Sequence, residues 1–480
     1  MPRANPPLES WANTPGSGLD LFLDLAAAPS GGPGLRARIE RGLREAIRSG
    51  RLSVGSRLPP TRELARDLGV SRGTVLQAYE QLTAEGWLEA RPGFGTVVRL
   101  EYKGEPTTPS VGDAQPVRWH FDFRPGRPDP SSFPRRAWLR AARQAIGAAP
   151  NHAFSIGDPQ GHLALRLELG AYLSRARGLQ APPTRVVVTT GFIQSLGLIV
   201  RSLGTAAGRV AMEDPCLPLH RAVVQAHGRD PIPIAVDGDG LQVSDLEGRE
   251  DVSLVVVTPN RQHPTGVVLI PERRARLLAW ARRTGALVLE DDYDGEFRYD
   301  RHPVSALQSL DPEVVAYAGT VSKTLSPAVR LGWLVLPQAR VTAVVEQKAY
   351  SDWQSGVLEQ LTFAEFLRSG AFDRHVRRMR LVYRHRRDAV IRSLARVRPD
   401  LQVAGAEAGL DLLVPMSAPT VEASALAAAA AAGIGLGGLS VGGYYHRGTS
   451  SGVMVGYGAT MESTFARGVE ALAVTFAHLR

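Results

Sequence analysis

Lys323 stands in a run of residues that could bind an aldehyde and a phosphate at the same time. Thr320 and Ser322 place hydroxyls beside it, and Arg330 follows seven residues later. A lysine amine can form a Schiff base with an aldehyde, and an arginine with two hydroxyls can hold a phosphate. The chain has only three lysines, at positions 103, 323 and 348. Because lysine is rare in this chain, the lysine at position 323, in an apolar setting, is a candidate functional residue.

A second cluster, residues 290–297, is acidic and contains a phenol. Asp291 follows an apolar run, and Tyr293 lies two residues later, on the same side of an extended chain. A carboxylate can keep a pyridine nitrogen protonated, and a phenol can hydrogen-bond a ring oxygen. An acidic loop or a divalent-metal site is the alternative for this cluster alone, although no His-based metal spacing accompanies it. Together the two clusters indicate pyridoxal 5′-phosphate (PLP) as a cofactor.

The elements around these clusters would bring them to one edge of a sheet. From about residue 119 to residue 480, short apolar runs alternate with amphipathic helices, which predicts an α/β domain with a mostly parallel sheet buried on both faces. Chemistry in such folds gathers at the carboxyl ends of the strands. The predicted strands are residues 185–189, 209–212, 252–258, 286–290, 314–318 and 331–336.

Residues 35–99 have a different pattern, which predicts a winged helix-turn-helix. Apolar residues recur at helical spacing from Leu35 until Gly50, a short helix covers about 61–68, and a third helix begins at Ser71, a good N-cap. The runs 87–90 and 95–98, joined by an Arg-Pro-Gly turn, indicate a small β-hairpin. Three helices followed by a hairpin are the element order of a winged helix-turn-helix.

The charge of this segment favours DNA as its partner. Residues 35–99 contain 12 arginines against 7 acidic residues, so their net charge is +5. A generic three-helix module with solvated arginines is the alternative. However, Arg72, Gly73 and Thr74 occupy the first turn of the third helix, which enters the major groove in this architecture. Arg91 and Gly93 lie at the hairpin tip, where a wing would touch the minor groove or the backbone.

The residues Gly55-Ser56-Arg57-Leu58-Pro59-Pro60-Thr61-Arg62-Glu63-Leu64-Ala65 and Gly69-Val70-Ser71-Arg72-Gly73-Thr74-Val75 resemble the GntR-type DNA-binding domain. The match continues through Glu85-Gly86-Trp87-Leu88 and Gly93-Phe94-Gly95-Thr96, nearly the whole segment. The resemblance implies contacts to bases or phosphates from five residues: Arg62, Ser71, Arg72, Gly73 and Thr74.

The later part of the chain resembles a fold-type I, aminotransferase-like PLP domain. The matching residues are Thr258-Pro259, Pro264-Thr265-Gly266, the acidic run 290–299 and the run 323–330. Joined to a GntR-type head, the chain resembles the MocR/GabR subfamily of bacterial transcription regulators. The resemblance implies an internal aldimine at Lys323, with Asp291 at the pyridine nitrogen and Tyr293 at the phenolate oxygen. It implies further cofactor contacts from Arg330, Thr320, Ser322, Gly191, Phe192 and His263, the residue before Pro-Thr-Gly.

Four positions depart from that pattern. His263 stands where the family has Asn or an aromatic residue, Leu217 where many relatives place an aromatic residue over the ring, and Ile156 where a tyrosine of the partner subunit is common. Met454 occupies the position of the arginine that binds the substrate carboxylate in amino-acid-binding members. Arg447 or Arg124 would have to replace that arginine, so the recognition of an ordinary α-amino acid is in question.

Composition limits the remaining choices. The 480 residues carry a net charge of +9, and one cysteine excludes a disulfide framework or a Cys-based zinc site. No apolar run approaches the roughly 18 residues of a membrane span, and the N-terminus lacks the pattern of an export signal, so we expect a cytoplasmic protein without membrane contact. Residues 1–34 are predicted to be a flexible arm, 35–99 the DNA-binding domain, 100–118 a linker and 119–480 the PLP-binding domain.

These observations predict a PLP-dependent transcription regulator. PLP, one of its vitamers or an amine would be the effector, and a homodimer would place two winged helices on a double-stranded DNA operator. An aminotransferase with a self-regulatory DNA-binding head is the alternative, and it must account for Met454. A DNA-binding protein whose large domain has lost its cofactor is a third hypothesis, which the presence of Lys323, Asp291, Tyr293 and Arg330 disfavours.

Overall fold

The computed structural model describes residues 34–99, 119–204, 208–300, 305–447 and 450–478. The chain divides into two compact units, residues 1–117 and 118–480, and each is described by itself. The predicted arm, except for Gly34, and the whole predicted linker lie outside the described residues.

The smaller unit consists of three helices and a hairpin, as the sequence predicts. The side chains of Ile39, Leu43, Val75 and Leu82 are fully buried and form the centre of its core. Leu88 pairs with Val98 across the antiparallel hairpin. The elements are α1 (Leu35–Arg48), α2 (Thr61–Asp67), α3 (Arg72–Ala84), β1 (Leu88–Arg91) and β2 (Gly95–Val98).

The larger unit is built on an eight-stranded mixed sheet in the order β4-β11-β10-β9-β8-β5-β6-β7. The five neighbours β10, β9, β8, β5 and β6 are parallel, whereas β11 runs antiparallel to β10 and β4, and β7 runs antiparallel to β6. The prediction of a mostly parallel sheet is confirmed. The strands are β4 (Val186–Thr189), β5 (Arg209–Asp214), β6 (Pro231–Asp237), β7 (Gly240–Leu241), β8 (Val252–Val257), β9 (Leu287–Asp291), β10 (Val315–Thr320) and β11 (Gly332–Val335).

Helices cover the faces of this sheet, and the strands between them are buried because both faces are packed. Both faces of β4, for example, meet helices, so its residues alternate between two core clusters. The helices of the larger unit are α4 (Arg135–Ala148), α5 (Leu163–Arg177), α6 (Phe192–Ser202), α7 (Pro218–Ala226), α8 (Ser244–Glu247), α9 (Pro271–Thr284), α10 (Val341–Ser351), α11 (Val357–Arg368), α12 (Ala371–Val397), α13 (Pro419–Ala431) and α14 (Glu462–Ala477).

Two smaller sheets complete the larger unit. One has the order β12-β15-β14, and the other pairs β13 with β3. Their apolar residues pack with α12, α13 and α14 in a separate core cluster. The strands are β3 (Phe121–Asp122), β12 (Asp411–Met416), β13 (Ile434–Gly435), β14 (Gly437–Gly438) and β15 (Ser451–Gly456). In the described part of the chain, no helix is long and apolar enough to cross a membrane.

Candidate functional site

A cavity of about 320 Å³ lies at the carboxyl ends of the strands of the large sheet. Asp291 ends β9, Thr320 ends β10, and Gly191 follows β4, so three strands deliver side chains or backbone to one edge. All nine residues predicted to bind the cofactor line this cavity: Gly191, Phe192, His263, Asp291, Tyr293, Thr320, Ser322, Lys323 and Arg330.

Lys323 reaches the cavity from the turn that follows β10. Its Nζ donates a hydrogen bond to the carbonyl oxygen of Gly126, at 2.6 Å. Burial lowers the pKa of the Lys323 ammonium, and the neighbouring carboxylates of Asp411, Asp294 and Asp291 oppose that shift. A lowered pKa increases the fraction of neutral amine, which is the form that attacks an aldehyde.

Asp291 is the one carboxylate of the acidic run that faces the cavity. Glu290 accepts backbone hydrogen bonds from Leu307 and Gln308, and Asp292 accepts one from Arg177 Nε at 2.8 Å. Within the described residues, the Asp291 carboxyl group has no hydrogen-bond partner, and burial raises its pKa well above the ordinary value. A buried carboxyl without a partner suits a ring nitrogen that can carry a proton.

The acidic run is not arranged as a metal site. Across the described ranges, no group of three or more His, Cys, Asp and Glu side chains could hold a metal ion. Asp292 and Asp294 are instead paired with Arg177 and Arg261. Arginine neutralises these carboxylates, so the cluster leaves one free carboxyl for the cavity.

The part of the cavity lining formed by Gly191, Thr320, Ser322 and Arg330 has the features of an anion site. Gly191, with φ 130°, precedes α6, and the N-terminus of that helix offers backbone N–H groups. Thr320 and Ser322 lie with their hydroxyl oxygens 2.9 Å apart. Arg330 has no ion-pair partner among the described residues, and a Cβ on Gly191 would lie 3.7 Å from its guanidinium nitrogens. The residues present therefore fit the phosphate, the aldehyde and the ring nitrogen of PLP.

The smaller unit exposes the residues predicted to contact DNA. Ser71 caps α3, since its hydroxyl accepts a hydrogen bond from the Thr74 backbone N–H at 3.1 Å. Arg62, Ser71, Arg72 and Gly73 are exposed, whereas Thr74 is half-buried. Arg91 and Gly93 lie exposed at the end of the hairpin, where Arg91 pairs with Glu89 at 3.2 Å. The surface of α2, α3 and the hairpin tip thus presents cations and backbone N–H groups together.

Comparisons with known proteins match both units. Residues 35–98 match the model of bacterial regulatory proteins of the gntR family, and residues 128–434 match that of aminotransferase class I and II. The chain is 33% identical to the pyridoxine biosynthesis transcriptional regulator PdxR of Corynebacterium glutamicum, over 92% of this chain and 96% of that protein. It is 31% identical to the probable rhizopine catabolism regulatory protein MocR of Rhizobium meliloti, over 90% and 92%. The chain belongs to the MocR/GabR family of transcription regulators.

Solved structures show the fold of the larger unit of this MocR/GabR regulator. A kynurenine aminotransferase from Pyrococcus horikoshii superposes with a TM-score of 0.67 and 24% identity, over 74% of this chain and 90% of that one. An archaeal alanine:glyoxylate aminotransferase gives a TM-score of 0.68 over 75% and 91%. At this level of identity the likeness establishes the aminotransferase fold of the larger unit.

The departures from the family pattern have different surroundings in this regulator. Leu217 lines the cavity. Met454 does not: it is 1% exposed and packs with Leu413, Leu439 and Tyr444. Of the two arginines considered as substitutes, Arg124 is bound to Asp122 at 2.6 Å, and the side chain of Arg447 is exposed outside the cavity lining. Neither arginine supplies a free guanidinium to the cavity.

Sequence reasoning missed several residues of the cavity. His220 packs its ring 4.6 Å from that of Phe192, and burial lowers the pKa of His220 to about 3, so its imidazole is neutral. Tyr444 lies edge-on to His263, with ring centroids 5.6 Å apart. Burial lowers the pKa of His263 to about 4, and its Nδ1 is buried without a hydrogen-bond partner. No local motif marks His220 or Tyr444, because they reach the cavity only through tertiary contacts.

Proposed function

We propose that this regulator senses PLP by binding it covalently at Lys323, and that the bound cofactor changes how the winged helices hold operator DNA. The observation that carries the proposal is the convergence of Lys323, Asp291, Tyr293 and Arg330 on one cavity. PLP bound there would supply an electrophilic aldehyde for Lys323 and an anionic group for Arg330. The chain's own residues would orient the ring, with Asp291 at its nitrogen and Tyr293 at its oxygen.

The roles in DNA binding follow from the exposed residues of α2, α3 and the hairpin. Arg62 and Arg72 would contact phosphates or guanine edges, and Ser71, Gly73 and Thr74 would let the start of α3 approach the backbone closely. Arg91 and Gly93 would bring the hairpin to the adjacent groove. Such a regulator acts in the cytoplasm, where it meets chromosomal DNA.

PLP or a related vitamer fits the cavity better as an effector than an α-amino acid does. Lys323 and Arg330 are the cationic side chains of the described cavity lining, and both are assigned to PLP. The position of Met454 is apolar and buried, so a ligand carboxylate would be desolvated there without a partner. We therefore expect sensing rather than sustained transamination of α-amino acids.

A homodimer would present two winged helices to two half-sites. Its contact surface would include an exposed apolar group formed by Phe154, Ile156, Tyr350 and Trp353. Two hydrogen bonds hold its two segments together: Trp353 Nε1 donates to the oxygen of Gly157 at 3.0 Å, and the Gly157 N–H donates to Gln354 Oε1 at 2.8 Å. Large apolar side chains exposed together are typical of an interaction surface.

Operator binding with and without PLP tests this function. Duplexes selected from a random pool by the full-length protein would supply the operator, and fluorescence anisotropy would measure its Kd at fixed salt. We expect PLP to change the Kd of the wild type several-fold, and pyridoxine, which lacks the aldehyde, to have no such effect. Lys323→Ala should bind the operator without responding to PLP. Equal responses of wild type and Lys323→Ala would contradict the proposal.

A further inference from the structure

Arg261 is a buried residue that touches Tyr293, the side chain assigned to the cofactor's ring oxygen. It follows β8, and its side chain is 3% exposed. One of its terminal nitrogens, Nη1, lies 2.8 Å from the hydroxyl oxygen of Tyr293. The arginine does not line the cavity itself, so any effect on a ligand must pass through a neighbour.

Two buried carboxylates hold the guanidinium in place. Nη2 donates to both the backbone oxygen and Oδ1 of Asp411, each at 2.8 Å, while Nη1 lies 3.3 Å from Oδ2 of Asp294. A Cβ on Gly409 would approach the guanidinium carbon to 2.5 Å, so the backbone also closes on it. Arg261 holds the pKa of Asp411 below its ordinary value despite the burial of that carboxyl. Asp411 is therefore the main ion-pair partner.

The direction of the hydrogen bond between Arg261 and Tyr293 determines which acceptor the Tyr293 proton can be donated to. A guanidinium has only donors, so the Tyr293 oxygen must accept from Arg261. Burial raises the pKa of Tyr293 well above its ordinary value, so the phenol keeps its proton. Among the described residues, the other acceptor that the Tyr293 hydroxyl reaches is the backbone oxygen of Arg261, 3.4 Å away. A closer acceptor in the cavity would capture the proton.

We propose that Arg261 is a positioning residue, which orients the Tyr293 hydroxyl so that its proton is donated into the cavity, toward the ring oxygen of PLP. Accepting a charged donor polarises the phenol and strengthens the hydrogen bond that it donates in turn. The inference rests on the proposed binding of PLP at Lys323. It adds a residue that the sequence motifs do not mark.

The same network reaches the lysine. Asp411 Oδ2 accepts a hydrogen bond from the Gly126 N–H at 2.9 Å, and the Gly126 oxygen accepts one from Lys323 Nζ. Arg261 thus anchors a carboxylate that holds the backbone in contact with Lys323. The phenol of Tyr293 and the amine of Lys323 would bond to adjacent groups of the same PLP ring. Both are connected to the buried ion pair of Arg261 and Asp411.

A pH titration of the visible absorption of the PLP-loaded protein tests the inference. The nitrogen that would join PLP to Lys323 carries a proton that it shares with the ring oxygen. A hydrogen bond donated to that oxygen weakens the oxygen's attraction for the shared proton, and so lowers the pKa of the nitrogen. Tyr293→Phe should therefore raise the titration midpoint. Arg261→Gln should raise it as well, by about one pH unit, which corresponds to a tenfold change in the protonation equilibrium.

The double variant separates positioning from a direct effect of charge. If the charge of Arg261 acted directly on the cofactor, its loss would raise the midpoint whether or not the phenol is present. If Arg261 acts through Tyr293, Arg261→Gln adds no shift in the Tyr293→Phe background. A shift that persists there, or an unchanged midpoint in Arg261→Gln alone, overturns the proposal. A wild type without a visible band would instead reject the proposed function.

Controls address the folding of a buried-arginine variant. Arg386→Gln removes an equally buried arginine, also 3% exposed, that pairs with Asp129 at 2.9 Å outside the cavity lining. It should lower the thermal midpoint of unfolding without moving the titration. If Arg261→Gln does not fold, the titration of Arg261→Lys tests the proposal by itself. Lysine keeps a cation near Asp411 but lacks the planar guanidinium that contacts Asp411 and Tyr293 together. A wild-type midpoint in Arg261→Lys would then overturn the proposal.

Discussion

Arg330 has no anionic partner in the described structure, although it lies beside Gly191 and the start of α6. A guanidinium in this place would gain charge-assisted hydrogen bonds only when a phosphate arrives. A substitution of Arg330 would therefore test the recognition of the phosphate separately from that of the aldehyde.

Arg330→Ala should weaken PLP binding by about 10- to 100-fold, because a hydrogen bond to a charged group contributes roughly 1.5–3 kcal/mol. The Kd would be measured by titrating the visible absorption of the protein. Pyridoxal, which lacks the phosphate, serves as the matched ligand and should bind wild type and variant equally. An equal loss for both ligands would show that Arg330 does not act on the phosphate.

The burial of Lys323 has a consequence for the pH dependence of PLP uptake. Its pKa is lowered, so the neutral amine is present at a lower pH than in an exposed lysine. The rate of PLP incorporation, measured by absorbance, should rise with pH. It should reach its plateau at a lower pH than the reaction of PLP with N-α-acetyl-lysine, measured in parallel. A plateau at the same pH as the free amine would contradict the assignment of a desolvated lysine.

Local motifs were sufficient to predict the residues of the cavity that follow strands. Asp291 comes directly after one predicted apolar run, Lys323 lies five residues after the end of the next, and the carboxyl ends of neighbouring strands meet. Arg261 and Asp411 could not be paired in this way. They are 150 residues apart, and only the packing of the second sheet against the loop after β8 brings them together.

At the scale of elements, α3 is the helix that we propose to contact the DNA groove. Its first turn contains Arg72 and Gly73 and no acidic residue, and the Ser71 hydroxyl caps the N-terminus of the helix. Arg72 forms no ion pair within the described residues, so its guanidinium is available to a ligand.

Arg72→Ala should raise the operator Kd by about 10- to 100-fold, as expected for the loss of roughly 1–3 kcal/mol per base contact, and leave PLP absorption unchanged. Arg41→Ala, which removes an exposed arginine from α1, controls for the loss of charge alone. Anisotropy at several salt concentrations would measure both variants. Equal effects of the two substitutions would argue against α3 as the recognition helix.

The pattern of apolar runs predicted the six strands but not all of their partners. It missed β6, which contains two prolines, a residue type that normally argues against a strand. It also gave no direction for β11, which runs antiparallel to both neighbours, because buried strands of either direction have the same continuous apolar composition.

At the scale of the whole molecule, the proposed homodimer would form through the exposed group around Ile156 and Tyr350, which are 79% and 81% exposed. Two copies that cover this group would place two DNA-binding units in one particle. The sequence identified Ile156 only as a departure from the family, since exposure cannot be deduced from a single residue type.

Ile156→Asp should convert a dimer into a monomer at micromolar concentration, because the interface would bury a carboxylate without a partner. Sedimentation velocity would show the change. Val474→Asp, at an exposed apolar residue of α14, is the matched control and should remain dimeric. An unchanged dimer in Ile156→Asp would place the interface elsewhere.

The central claim is that Lys323 holds PLP in the cavity at the edge of the large sheet. The visible absorption spectrum of the purified protein, before and after saturating PLP, tests it most directly, with Lys323→Ala as the control. The account predicts a yellow band in the wild type that survives gel filtration and is missing from Lys323→Ala. A wild type without the band at saturating PLP, or an equal band in both proteins, would contradict it.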